Sequence, residues 1–291
     1  MKIKKSNSDK ILDLVCYGFV FALCVTIVIP FWNLFVTSVT PQTDTSMSFQ
    51  WWPDSATWEA WKMVLKSNFI WNSFKNTVFK TILGTVIHLG LTLLYAYPLS
   101  RPDFSFNKFF NGLIIATMFI HVGLIPTYLN IVGLGLNNTI WALVLPGAIS
   151  AYNVILLKNY FKGIPAALTE AAKIDGANDI YIFFKIILPL SKPIVATITL
   201  WMVVGLWNQW MDCLLYINDR DMYVLPIMLR ELQTSVAALT EGGAGVDASA
   251  VPPSDALVAA SNLFVILPIV CVYPFLQKYF VKGIMAGSVK G

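Results

Sequence analysis

NYFKGIPAALTEAAKIDGANDIYIFFKIILPLSKP, from Asn159 to Pro193, is an alanine-rich, charged stretch set between two apolar runs. Pro165 suits the first turn of a helix, where its missing N–H would be unpaired anyway and its fixed φ is already helical. The helix body is expected over Ala166 to Ile174. Gly176 then stands where a left-handed residue ends a helix with least strain. Asn178 can cap a second helix running to about Ile187, which Pro189 should stop. The stretch thus reads as two short helices joined by a tight turn at Gly176. Ala166, Ala167, Ala171 and Ala172 keep the first helix thin, so another surface can approach its backbone closely. Glu170 and Asp175 add acceptors for charge-assisted hydrogen bonds, worth roughly 1.5–3 kcal/mol each when partly shielded. On the residues alone two readings stand level: a docking element for a partner, or an ordinary amphipathic loop at a membrane surface.

Outward from this stretch the chain is mostly apolar. Of its 291 residues 57% are hydrophobic and only 12% charged, with a mean hydropathy of +0.67. Soluble domains carry about a quarter of their residues as charges, so there is too little polar surface to coat a water-soluble globule. Apolar runs of roughly 20 residues, each able to cross a hydrocarbon core as a helix, explain the excess. Candidate spans are Ile11–Phe35, Val78–Leu99, Phe109–Ile131, Thr139–Leu157, Ile194–Ile217 and Ala256–Leu276. The expected fold class is therefore an all-α integral membrane protein with six transmembrane helices. Pro30, Pro126, Pro146 and Pro268 fall inside spans, and such prolines are tolerated where neighbouring helices bond the freed carbonyls. The N-terminal MKIKKSNSDK and the run behind it imitate a secretory signal, but the run is too long and no small-residue cleavage site follows. A retained first span is the expectation. Cys16, Cys24, Cys213 and Cys271 all lie in apolar segments without paired spacing or a nearby histidine, which supports neither a disulfide framework nor a metal site.

Six spans place both termini on one side, together with segments 100–108 and 158–193. That side holds fourteen of the twenty basic residues; Lys62, Lys66, Lys75, Lys80, Arg220 and Arg230 are counted to the other. The positive-inside rule then puts both termini in the cytoplasm. The net charge of +4 belongs to this topology, and no nucleic-acid partner is expected. Of the two long outer segments, Thr40–Thr77 is rich in tryptophan and suits the membrane interface. Asn218–Asp255 is acidic in balance and contains EGGAGVDASAVPPSD (Glu241–Asp255), which reads as a loop without fixed structure. The chain divides into residues 1–70, comprising the tail, first span and outer segment, and a core over 71–291 that carries the loop at 159–193 and a C-terminal tail.

EAAKIDGANDIYIFFKIILP (Glu170–Pro189) resembles the EAA loop of ABC-importer permeases, in which E-A-A, three residues, G, nine residues and I-x-L-P recur. Glu170, Ala171, Ala172, Gly176, Ile186, Leu188 and Pro189 occupy those positions. The resemblance runs from about Asn72 to the end. YAYPLSRPDF (Tyr95–Phe104), HVGLIPTYLNIVGLGLNNTIWALVLPGAI (His121–Ile149), LWNQW (Leu206–Trp210) and LQKYFVKGIMAGSVKG (Leu276–Gly291) are similar to the MalG/LplC-like branch of binding-protein-dependent sugar permeases. It implies a type I importer permease (MetI-like) fold in a bacterial cell membrane. It also implies a second homologous permease, two ATPase subunits, an extracytoplasmic solute-binding protein and an oligosaccharide substrate. Glu170, Ala171, Ala172, Asp175, Gly176, Ile186, Leu188 and Pro189 would couple to the ATPase. Gly283, Gly287 and Lys290 in the tail would reach it too, and Glu241–Asp255 would touch the binding protein.

No G-x-x-x-x-G-K-[ST] run occurs, nor a Ser/His/Asp or H-E-x-x-H arrangement. No catalytic residue and no cofactor are therefore expected in this chain; ATP and Mg belong to the partner ATPase. A secondary carrier acting alone should show intramembrane charge relays and paired halves. An enzyme on lipid-linked sugars should show clustered carboxylates at one membrane face. Neither pattern is visible. Trp207, Asn208, Gln209 and Trp210 have sugar-handling chemistry, with indoles for C–H faces and amides for hydroxyls, but interhelical bonding and an aromatic belt explain them as well. His88 and His121 fall in spans, where cross-helix bonding outweighs a polar path. Asp212 is either an intramembrane functional acid or a loop-bonded one.

Overall fold

Hydrocarbon offers no partner to a peptide group, so a chain this apolar must satisfy its backbone within helices. In the computed structural model, which describes residues 7–41, 51–53, 55–120, 122–240 and 255–288, the regular elements are helices throughout and no strand occurs among the described residues. Among the described residues three helices contain stretches long and apolar enough to cross a membrane unbroken: α1 (Asn7–Val39), α3 (Asn68–Ser100) and α14 (Asp255–Ser288). Two more candidate spans are bent pairs. One is α4 (Asn107–Phe119) with α5 (Leu124–Gly133); the other is Asp179–Leu190 with α11 (Lys192–Asn208), bent by 81°.

The expected fourth span, Thr139–Leu157, is divided. Helix α6 (Ile140–Val144) ends just before Pro146 and Gly147, and α7 (Ala151–Lys162) restarts behind Ser150, whose side chain accepts from the Asn153 N–H. Gly147 has φ +70°, a left-handed turn no continuous helix contains. The break frees the Val144 carbonyl, and His88 on α3 donates to it through Nε2 at 2.7 Å. A carbonyl only accepts, so this bond assigns the Nε2–H tautomer and makes His88 a cross-helix strut. His121 lies outside the described residues.

The chain forms two units, residues 1–68 with 229–266, and residues 69–228 with 267–291. In the first, α1 presents Ile11 to Phe31 outward along most of its length, and only the stretch from Val36 to Thr40 at its end is buried. Helix α2 (Glu59–Lys66) follows as a short amphipathic element that buries Ala60 and Val64. Trp61 Nε1 donates to the Ser38 hydroxyl at 3.1 Å, and Trp51, Trp52 and Trp58 stay exposed. Helix α13 (Leu225–Thr240) straddles the unit boundary and orders much of residues 218–240, for which the sequence suggests no element. Residues 241–254, with most of the expected flexible loop, are outside the described set.

In the second unit, α3 turns a stripe of small and polar residues inward at helical spacing: Ser73, Thr77, Lys80, Thr81, Gly84, Thr85, His88, Thr92 and Ala96. Gly84 allows the closest approach, because a β-carbon there would lie 2.8 Å from the Leu206 side chain on α11. Beyond this stripe a core of Ala96, Leu99, Ile114, Val154, Leu157, Phe161, Ile182, Phe183, Ile187, Ile198 and Met202 joins α3, α4, α7 and α11. Ile182, Phe183 and Ile187 come from the Asn159–Pro193 stretch itself, so the base of that loop is built into the core.

Candidate functional site: a surface helix seated on the core

Helix α8 (Ala166–Ile174) covers the expected residues, but Pro165 stands one position before its first turn, as the N-cap, with ψ 126° outside the helical range. Asp175 ends it, and Gly176 takes φ +84° as the sequence required. The Ala177 N–H reaches back to the Ala172 carbonyl at 2.9 Å, closing the turn. Asn178 Oδ1 accepts from the Tyr181 N–H at 2.8 Å and caps α9 (Asp179–Ile182).

Here the sequence reading needs one correction: Pro189 does not stop the helix. A π-helical turn over Phe183–Ile187 leads into α10 (Leu188–Leu190), and the chain bends only at Ser191. A proline inside a helix lacks one donor and crowds the carbonyl four residues earlier. The wider i→i+5 turn ahead of it relieves that crowding.

The motif residues divide by exposure. Glu170, Ala171, Asp175 and Gly176 face solvent, as do Leu168, Ile174, Ile180, Tyr181 and Phe184. No residue of α8 is buried, and Ile174 is 87% exposed. Ala172 and Leu188 pack against the core instead, and Ile186 is half-buried. Pro189 is exposed. The outward half of the motif is thus a mixed apolar and acidic surface, and the inward half is its anchor.

The sequence reading missed what holds α8 in place. Just past the end of α3, Arg101 makes a two-pronged pair with Asp103, at 3.2 and 3.3 Å. Lys173 on α8 donates to Asp103 Oδ2 at 3.2 Å, and Arg101 reaches Asp179 at 3.5 Å. Tyr97 Oη donates to the Asp179 carbonyl at 3.3 Å, while its ring lies 4.7 Å from that of Phe183. Asn107 Nδ2 fixes the intervening turn by donating to the carbonyls of Leu99 and Arg101. Bonds from Arg101 and Lys173 hold the Asp103 carboxyl well below the usual carboxylate range and outweigh its slight burial; the bond to Asp103 likewise raises the Arg101 guanidinium. The signal was present in the Arg-Pro-Asp of YAYPLSRPDF, an acid and a base two residues apart at a helix end. Their partners on α8 and α9 are about 70 residues away in sequence and nothing local names them.

The other candidates sit where α11 gives way to α12 (Met211–Tyr216). Trp207 is buried, with Phe74 edge-on at 6.3 Å. Asn208 is exposed and donates to the Val204 carbonyl one turn back. Gln209 leaves the helix, its side-chain amide donating to Asp212, whose carboxylate is therefore loop-bonded. Trp210 packs on a small core of Leu143, Cys213, Ile217, Val224 and Ile227. Lys80 on α3 is 1% exposed and donates to the Gln209 carbonyl at 3.1 Å. Its ammonium sits beyond the C-terminus of α11 and Asp212 in the first turn of α12, the favoured sign at each end. The four residues Trp207 to Trp210 run from the end of α11 across the break before α12, and only Asn208 among them is exposed. Among the described residues no three His, Cys, Asp or Glu side chains converge on a metal site. In the tail, Gly283 and Gly287 lie within α14, and Lys290 lies outside the described residues.

A surface helix seated on a bundle of apolar spans can be set beside known proteins. Residues 6–286 match the family model for binding-protein-dependent transport system inner membrane components. The polygalacturonan/rhamnogalacturonan transport system permease protein YtcP of Bacillus subtilis (strain 168) is 37% identical over 284 residues, covering 97% of this chain and 99% of its own. Protein LplC of the same organism is 37% identical over 287 residues, with coverage of 98% and 97%. A crystal structure of a bacterial ABC transporter involved in the import of the acidic polysaccharide alginate contains a chain that superposes with a TM-score of 0.83 at 30% identity, over 96% of this chain and 100% of that one. On the near full-length match of sequence and fold, this multi-pass membrane protein belongs to the family of binding-protein-dependent transport system inner membrane components.

Proposed function

We propose that this chain is one of two permease subunits of an ATP-driven oligosaccharide importer, and that α8 is the helix through which it engages an ATPase subunit. The observation that carries the second half is the exposure of α8: none of its residues is buried, although the turn behind it is anchored in the core. A helix with Leu168, Glu170, Ala171, Ile174 and Asp175 all in solvent presents apolar area and charged acceptors together, which suits a protein cleft. ATP and Mg bind in the ATPase chains. Nucleotide-driven closure of two ATPase subunits would draw the paired α8 helices together and turn the path toward a loaded solute-binding protein outside. A second, homologous permease completes that path. Both termini and α8 face the cytoplasm, and Gly283, Gly287 and Lys290 form a second ATPase contact. Relatives bearing the names of polygalacturonan and alginate transport support oligosaccharides as cargo, with uronate-containing ones the first to try.

The test is reconstitution. The purified chain alone in liposomes is expected to show neither ATP hydrolysis nor uptake. With a second permease and ATPase subunits, hydrolysis appears and rises on adding loaded binding protein. Substrate uptake by this chain alone would overturn the proposal.

A further inference from the structure

The ion pairs behind α8 join it to one particular span. Asp103 stands three residues past the end of α3 and accepts from both Arg101 and Lys173, and Arg101 also reaches Asp179 across the Gly176 turn. Arg101 is the least exposed member, its side chain 17% accessible, and Pro102 and Asn107 stiffen the turn that presents it. An isolated surface pair is worth little, but a bidentate pair shared in a network is the exception. The far part of the same helix is also bonded. Asn76 donates to the carbonyls of Asp221 and Tyr223, Thr77 accepts from the Leu225 N–H at 2.7 Å, and Lys80 holds the Gln209 carbonyl at the helix break. A 33-residue helix, about 50 Å long, is therefore tied near one end to α8 and toward the other to the break after α11 and the segment behind it.

We propose that Asp103 is a positioning residue for transport: it clamps Lys173 to Arg101, so that a displacement of α8 is carried into α3 and along it toward the break at Gln209. This rests on the reading of α8 as the ATPase-engaging helix. Without the clamp, α8 still presents the same outward surface and still binds the ATPase, but it moves on its own. Hydrolysis then continues while uptake falls, a loss of coupling rather than of assembly or folding.

The experiment uses the full complex in liposomes and reads uptake per ATP hydrolysed. Lys173→Asp sets two carboxylates against each other, and Asp103→Lys sets an added ammonium against Arg101 and Lys173. Each single variant is expected to retain the ATPase subunits on co-purification and to lower uptake per ATP about fivefold. The double variant Asp103→Lys/Lys173→Asp restores an opposite pair, leaves Arg101 its contact with Asp179, and should return the ratio to within about twofold of the unaltered protein. A ratio unchanged in both single variants, or a double variant no better than the singles, overturns the clamp. Gly176→Leu is run alongside: if it keeps both ATPase and uptake, the α8 reading itself has failed. If it loses both while the single variants keep their ratio, only the clamp has.

Discussion

Gly176 shows how much one residue's conformation decides. Its φ of +84° is a region that costs a residue with a β-carbon about 1–2 kcal/mol, yet a β-carbon there would have nothing within 4 Å. Backbone strain and external bulk can therefore be separated. Gly176→Asn, which tolerates the left-handed region, should insert normally and keep most of its uptake. Gly176→Leu should also reach the membrane, since no span is altered, but should lose uptake and co-purify poorly with the ATPase. Equal behaviour of the two would show that bulk at this position meets nothing. Glu170→Ala, which removes one exposed acceptor without adding bulk, should weaken ATPase retention less than Gly176→Leu. Lys80 makes the opposite case, an ammonium buried for structural reasons. Lys80→Met keeps the stem and removes the donor to the Gln209 carbonyl, which should cost about 1–3 kcal/mol and lower the thermal midpoint of the purified chain in detergent. An unchanged midpoint would mean that water or a shifted backbone replaces the bond.

At the scale of the element, α8 is held by charges outside and by Ala172, Ala177 and Leu188 against the core within. The sign of its pH dependence follows from Asp103. A carboxyl held below its ordinary range contributes stability that is complete above that range and is lost only as pH falls through its own lowered value. Mild acid should therefore leave the seat of α8 intact. Salt acts differently, because the Debye length shrinks from about 10 Å at 0.1 M to about 3 Å at 1 M and these side chains are half exposed. Hydrogen exchange over residues 166–182 in lipid nanodiscs, corrected for intrinsic rates, should show equal protection at pH 6 and pH 8 and weaker protection in 1 M salt. Loss of protection at pH 6 would show that another titrating group holds the helix.

For the whole molecule the testable statement is topology. Fourteen of the twenty basic residues fall on the side assigned to the cytoplasm. In intact cells, an impermeant thiol reagent should label a cysteine placed at Ser249 and spare cysteines placed at Asn178 or Ser288. Labelling at Asn178 from outside would reverse the orientation and remove α8 from reach of any cytoplasmic ATPase. Native Cys213 is buried, and Cys16, Cys24 and Cys271 lie within α1 and α14, so the background from them should be small.

Local chemistry was enough to determine several things from the sequence itself. A shortage of charge required membrane helices, and alternatives to a glycine at the left-handed turn are few, so the limits of α8 and the conformation of Gly176 were legible in a dozen residues. Asn178 was legible as a cap for the same reason, since a cap is made within three residues. Tertiary structure alone decided what pairs across the chain. Pro146 was readable as a proline inside a span, but that the span would divide there and that His88 would bond the freed carbonyl were not. The burial of Lys80 was hidden because its partner, the Gln209 carbonyl, is 129 residues away. The clamp on α8 was hidden likewise, Asp103 and Lys173 being 70 residues apart. A backbone's own turns and caps are short-range and written in order along the chain. The partner of a buried or paired charge is chosen by which helices pack together, and that is settled only when the spans have assembled.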